Sequence, residues 1–552
     1  MLAWTIYISF FGVLVLMLLP KGNARAARTV AMLSALAGLA VALAGFVQFK
    51  AGEILTVAKL PWVPSLGIEY HLAADGISLT LLLLTGLAAV TGILFSWNIK
   101  HRAKEFFAFY LALIGGVYGV FLSFDLFLLF VFYEIAIVPK YFIIAIWGST
   151  RKEYGAMKLA LYSFVGSAMV LVGLIAAYVV SSAHTFNVVE LAKYPFPHDF
   201  QMWAFPLVFV GFAILAGMWP FHTWAPTGHV AAPTAASMLL AGVVMKLGAY
   251  GCLRVAMTLF PKGLSSWDLH DYFLSTGCTP GISGFLHAAT HHSLIENTLW
   301  FFHLFGFSSW ADVFAILAVV GIVYGALVAL VQKDFKFVIG YSSVSHMGFV
   351  LLGLMTLNTI GLSGAVLQMF SHGIIAGLLF AVVGRMVYER THTRLLASLE
   401  GMALAKAIPF AAVTFVIASV ASMGLPGFSG FVAELQVIIG AWKTFPTLAV
   451  ISGVGILIGV AYTLRAVQKA FFGEINDPLT PALSPSDGER ETASQDGHHQ
   501  AMDPISIPER IGAVLLIGVS LVIGLFPRLL LDVIVPSFDS PLFDWLRKGG
   551  SQ

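Results

Sequence analysis

Charge is what this sequence has least of. Asp, Glu, Lys and Arg make up 11% of its 552 residues, against about a quarter in a soluble domain. Cysteine is nearly missing as well. Cys252 and Cys278 are the only two, too few for a disulfide framework or an iron–sulfur cluster on this chain. A formal net charge of +2 gives no reason to expect nucleic acid as a partner. Alternating apolar and polar strands of the barrel type are also missing. The first apolar run, from Leu2 to Leu19, has no basic residue before it and no small-residue cleavage site, so it reads as a retained span rather than a leader.

What fills the chain is apolar. It is 59% hydrophobic, with a mean hydropathy of +0.89, and runs of about 20 apolar residues recur along nearly its whole length. In lipid a segment must satisfy its own backbone groups. Without barrel strands, only helices can do so. The expected fold is therefore an all-α polytopic membrane protein of about fourteen spans. These begin near Leu2, Ala27, Asp75, Lys104, Asp125, Ala156, Met202, Thr234, Ala311, Lys336, Thr359, Ala407, Thr447 and Arg510. Two spans read as broken helices. The seventh ends in "AGMWPFHTWAPTGH", where Gly217 and Pro220 interrupt helical bonding, and the twelfth contains "MGLPGFSGF", with Gly424, Pro426 and Gly427. About 19 of the 30 Lys and Arg lie in the loops of one side, which the positive-inside rule makes cytoplasmic, leaving both termini outside. The polar, Pro- and Ser-rich stretch at 474–509 reads as a disordered cytoplasmic loop.

Against this apolar background a few ionisable residues stand near mid-span. Glu134 is in the fifth span, Lys246 in the eighth, His346 in the tenth, His372 in the eleventh, and Glu434 just after the break in the twelfth. Each charge at such a depth costs at least ~2.5–3.5 kcal/mol, so the default reading is functional. Burial favours the neutral forms of Glu and Lys, and histidine is already close to balance, so a proton can move either way along such a set. One buried histidine alone would read as a hydrogen-bonded core residue. Five residues of mixed type at similar depth read as a proton path.

These residues also carry a resemblance. "WPFHTWAPTGHVAAPTAASMLLAGVVMKLGAYGCLR", "DFKFVIGYSSVSHMGFVLLGL" and "GAVLQMFSHGIIAGLLFAVVGRMVYERTHTR" resemble the antiporter-like membrane subunits of respiratory complex I, the M type above all, over about residues 75–475. The resemblance implies fourteen spans with two inverted five-helix repeats and broken seventh and twelfth helices. It implies the fifth-helix glutamate for Glu134 and the central lysine for Lys246. His346 and His372 would be the linking histidines, and Glu434 the glutamate of the exit half-channel. The implied division is 1–74 (N-terminal helices and an outer loop), 75–261 (first repeat, with the central lysine), 262–310 (an outer-side insertion), 311–473 (second repeat), 474–509 and 510–552 (the last helix and tail). The implied function is a proton-translocating subunit of an NADH–quinone oxidoreductase in the bacterial plasma membrane. It would carry no cofactor or redox centre on this chain, lie beside neighbouring membrane subunits and lipid, and be driven by quinone chemistry elsewhere in the complex. A subunit of a cation/proton antiporter or membrane-bound hydrogenase, or a non-pumping M-like spacer, are the other readings.

One position departs from the pattern. The family has a lysine just before the seventh-helix break, as in "FAIKxPMxPFHTW", whereas this chain reads "FAILAGMWPFHTW", with Leu215 in the lysine's place. Glu134 thus lacks its usual partner. Lys140 is the possible substitute cation. Six residues along a helix turn about 600° and rise about 9 Å, so Lys140 lies off the Glu134 face and nearer the cytoplasm. It either snorkels to the surface or serves Glu134 through a water chain. Without a cation a carboxyl in low dielectric rests neutral, and Glu134→Gln would then be mild.

The insertion holds His270, Cys278, His287, His291, His292 and His303. The i,i+4 pair His287 and His291 would suit a metal, but no HExxH-like motif supports one, and no metal is expected. "SLIENTLWFFHLFGF" suggests instead a helix at the membrane surface or against a neighbour. Deleting about residues 264–306 is expected to leave the spans folded, with any loss confined to assembly, as purification of the complex would show. Stoichiometric zinc that disappears on deletion would restore the metal reading.

Overall fold

The computed structural model describes residues 1–20, 22–265, 307–473 and 502–549. Most of the insertion (266–306, with all six of the His and Cys residues named above) and most of the polar loop (474–501) lie outside the described residues. Twelve described helices are long and apolar enough to cross a membrane, from Ala24–Gln48 to Ile507–Leu525, and two shorter apolar helices, Trp4–Leu18 and Pro409–Ser422, accompany them.

Aspartates set several helix starts. Asp75, Asp125 and Asp334 each accept a hydrogen bond from a backbone N–H of the first turn, which is how an N-cap satisfies groups the helix leaves unpaired. They mark where the chain enters its apolar runs.

Two helix interruptions follow from local chemistry. His198–Ala216 ends at Gly217, which takes a left-handed conformation (φ +83°), and the chain resumes as Trp224–Ala231. Pro409–Ser422 is followed by Gly424 (φ +74°), Pro426 and Gly427 (φ +103°) before Ser429–Thr444 begins. Proline removes a donor, and a left-handed residue turns the chain out of the helix.

Burial divides the helices into a centre and a rim. Thr234–Met257 is wholly enclosed by other helices, Thr359–Thr391 is enclosed along its middle, and Gly76–Phe95 and Phe335–Met355 are nearly enclosed, while only about a third of Ala24–Gln48, Pro446–Phe471 and Ile507–Leu525 is buried. Exposed Leu, Val and Phe on the rim are what lipid-facing helices require.

Residues 49–74, expected as a plain loop, contain a β-hairpin. Strands β1 (Leu55–Val63) and β2 (Ile68–Ala74) pair antiparallel, and Phe124 N–H donates to His71 O at 2.9 Å, tying β2 to the start of the Leu126–Trp147 helix. Pro61 within β1 weakens the strand signal in sequence. It is tolerated because β1 is the outer strand of a two-stranded sheet with mostly exposed residues.

Candidate functional site

Lys246 lies in Thr234–Met257 between two π-helical turns, Leu240–Val244 and Cys252–Met257. Such wide turns recur at functional sites because they release backbone groups and rotate side chains. The lysine is fully enclosed. Its Nζ donates to Ala241 O, within the same helix, and lies 2.7 Å from His372 Nδ1, where either group can donate.

The approach of these two helices depends on glycine. A Cβ on Gly373 would lie 2.6 Å from Gly242 O, and one on Gly242 would lie 3.1 Å from Gly373 O. Gly242 is one helical turn before Lys246, and Gly373 adjoins His372. A side chain at either position would push the helices apart and open the Lys246–His372 bond.

A second pair follows. The rings of His372 and His346 lie 5.3 Å apart, centre to centre. His346 Nδ1 is 2.9 Å from Glu434 Oε1, and its Nε2 is 3.2 Å from Ser422 Oγ. Gln368 Nε2 donates to the same Glu434 oxygen at 3.0 Å. With Glu434 as a carboxylate, His346 donates through Nδ1 and accepts from Ser422 at Nε2. A small cavity lined by His346, Gln368, Ser371, His372, Ser422 and Glu434 opens between the two pairs. The break before Glu434 serves this cluster: a Cβ on Gly424 would lie 3.2 Å from Glu434 Oε2, at a φ that disfavours other residues.

Four of the five mid-span residues therefore form one line: Lys246, His372, His346, Glu434. Glu134 stands apart from it. It is half-buried, one carboxylate oxygen has no hydrogen-bond partner among the described residues, and it interacts with Ser167 of the next helix and electrostatically with Lys140. Lys140 does not snorkel. It is 1% exposed, and its Nζ is enclosed without a hydrogen-bond partner among the described residues. The helix rotation that buries Tyr133, Ile137 and Ile144 turns Lys140 inward as well. Leu215 is buried one residue before the end of His198–Ala216.

Sequence reasoning passed over several residues that belong here. Gln368 stands four residues before His372, a spacing that puts both on one helix face, and this was the available signal. Ser422 had none, since its role depends on the neighbouring helix. His229 is fully buried with neither ring nitrogen hydrogen-bonded among the described residues, and it interacts electrostatically with both Lys246 and Lys336. Asp75 and Arg254 form a fully buried ion pair at 2.5 Å.

A family model described as "NADH:quinone oxidoreductase/Mrp antiporter, TM" matches residues 123–296 and 279–459. The chain belongs to this family. Among its members, the NADH-quinone oxidoreductase subunit M of Rickettsia prowazekii is 35% identical over 86% of this chain and 88% of the relative. Subunit M of Rhodobacter capsulatus is 33% identical over 90% and 86%. A chain of respiratory complex I from Thermus thermophilus with bound NADH superposes with a TM-score of 0.78 at 25% identity, over 99% of both chains. A chain of the Mrp complex from Dietzia sp. shares the fold, with a TM-score of 0.75 at 22% identity over 99% of both chains.

Proposed function

We propose that this chain is the antiporter-like, M-type membrane subunit of an NADH–quinone oxidoreductase, and that it moves protons across the membrane along Lys246, His372, His346 and Glu434. The observation that carries this reading is the pair of short contacts, 2.7 Å from Lys246 to His372 and 2.9 Å from His346 to Glu434, placed end to end with three of the four residues in the most enclosed helices. Each member can hold or release a proton, and neither contact needs more than a side-chain rotation to pass one on. The cavity between the histidines is lined by Ser371, Gln368 and Ser422, polar partners of the kind a bridging water requires.

The same reading counts fourteen crossings: the twelve long helices, Trp4–Leu18, and the interrupted pair Pro409–Ser422 and Ser429–Thr444. It places both termini on the outer side of a bacterial plasma membrane and the two interrupted helices in inverted five-helix repeats. Neighbouring membrane subunits flank the chain. Quinone is reduced elsewhere in the complex, and this chain holds no redox centre.

The test is proton uptake by the whole complex in sealed vesicles, with quinone reduction started by NADH and followed by a pH-sensitive dye. Glu434→Gln keeps the size and a hydrogen-bonding group but cannot ionise. It is expected to lower protons moved per quinone reduced while the complex still assembles. An unchanged ratio would favour the second reading, a non-pumping spacer, which the buried Leu215 in the lysine's place supports.

A further inference from the structure

The Leu126–Trp147 helix holds two ionisable groups of opposite sign, each with an enclosed polar atom that no hydrogen bond accounts for among the described residues. Glu134 Oε1 and Lys140 Nζ are both enclosed and unpartnered among the described residues. Buried polar groups are nearly always hydrogen-bonded; three on this helix are exceptions, Tyr133 Oη being the third, and the two of opposite charge call for a shared explanation. Each is the charged side chain that interacts electrostatically with the other.

The facing helix carries two serines on its buried side. Lys152–Val180 packs antiparallel to Leu126–Trp147 across a short connection. Ser167 meets Glu134, and Ser163, one turn along on the same buried side, stands nearer the Lys140 end. Its Oγ is also enclosed without a partner. Glu134 to Lys140 is a rise of about 9 Å along the axis, and Ser167 to Ser163 covers about 6 Å of that span.

The buried face that carries Lys140 also carries the residue touching the helix where a cation is missing. Tyr133 and Lys140 are seven residues apart, on one face, and the Tyr133 ring packs edge-on against Phe212 at 5.7 Å. Phe212 is three residues before Leu215 in the same helix, so the two helices touch through these rings near the break. Leu215 offers no charge there.

We propose that Lys140 is the counter-cation and proton-exchange partner of Glu134, replacing a cation at position 215 from the neighbouring helix. This rests on the proton-translocating reading above. The exchange is balanced: a proton leaves the Lys140 ammonium, passes by way of the Ser163 and Ser167 hydroxyls, and neutralises the Glu134 carboxylate, and the reverse step restores the ion pair.

The complex in vesicles tests this with Lys140→Met, Lys140→Arg, Glu134→Gln and Lys246→Met. Lys140→Met and Glu134→Gln are each expected to lower protons per quinone at least twofold, with the double variant no worse than either single. Adding Leu215→Lys to Lys140→Met is expected to restore much of the loss. Lys140→Arg keeps the charge but cannot release a proton, so it is expected to preserve the infrared carboxyl band of Glu134 (identified by its disappearance in Glu134→Gln) and still to lose transport. Lys140→Met is expected to shift that band. Normal transport in Lys140→Met alongside lost transport in Lys246→Met overturns the inference and leaves the function standing. Normal transport in both overturns both. If Lys140→Met fails to assemble, the arginine variant decides: normal transport in it also overturns the inference.

Discussion

Lys246→Ala is expected to abolish the proton transport of this subunit while leaving the complex assembled. The lysine is fully enclosed, and its Nζ is held by Ala241 O and His372 Nδ1. Removing the amine leaves His372 Nδ1 without its partner and the line without its first member. Lys246→Met is the companion variant, because it fills nearly the same volume and separates loss of the amine from loss of packing. Lys246→Arg is expected to fail as well, since a guanidinium stays protonated throughout the range in which a relay works. Protons per quinone reduced, measured on vesicles whose subunit content is checked by gel, give the answer. Unchanged transport in a fully assembled Ala or Met variant would remove Lys246 from the path.

The largest expected effect on stability lies at the other end of the same helix. Arg254 Nη2 donates to Asp75 Oδ2 at 2.5 Å, and Arg254 Nε donates to Tyr250 Oη at 3.2 Å. Tyr250 Oη in turn donates to Phe121 O at 3.2 Å, and the guanidinium lies over the rings of Phe124 and Phe543. One residue thereby ties the Gly76–Phe95 and Thr234–Met257 helices to the C-terminal segment. Arg254→Met leaves Asp75 as an uncompensated buried carboxylate, at a cost of about 3–5 kcal/mol. Combining it with Asp75→Asn, which keeps an acceptor for Ser78 N–H, is expected to recover most of that, because the penalty comes from the unpaired charge rather than from the loss of the pair. The thermal midpoint and yield of the assembled complex are the readouts. Equal losses in the single and double variants would show that Arg254 acts through packing alone.

Much was legible in the residues themselves. Apolar runs long enough to span lipid leave a chain no alternative to helices, because every backbone group must be satisfied within the segment. The helix interruptions were visible at Gly217, Pro220, Gly424, Pro426 and Gly427 for an equally local reason, since proline and left-handed glycine act on their own turn. Glu134, Lys246, His346, His372 and Glu434 stood out because charge at mid-span is too costly to be incidental. The β-hairpin did not stand out, since Pro61 and an exposed face hide a strand that forms by pairing with its neighbour.

What the sequence alone determined is therefore the helices, their breaks and the set of ionisable residues at depth, all properties of single segments. Which of those residues meet was decided by tertiary structure. Lys246 and His372 are 126 positions apart and His346 and Glu434 are 88 apart. Their contacts exist because helices rotate to bury particular faces and because Gly242 and Gly373 let two backbones touch. The same rotation turned Lys140 inward rather than out to the surface, a choice that no spacing along one helix contains.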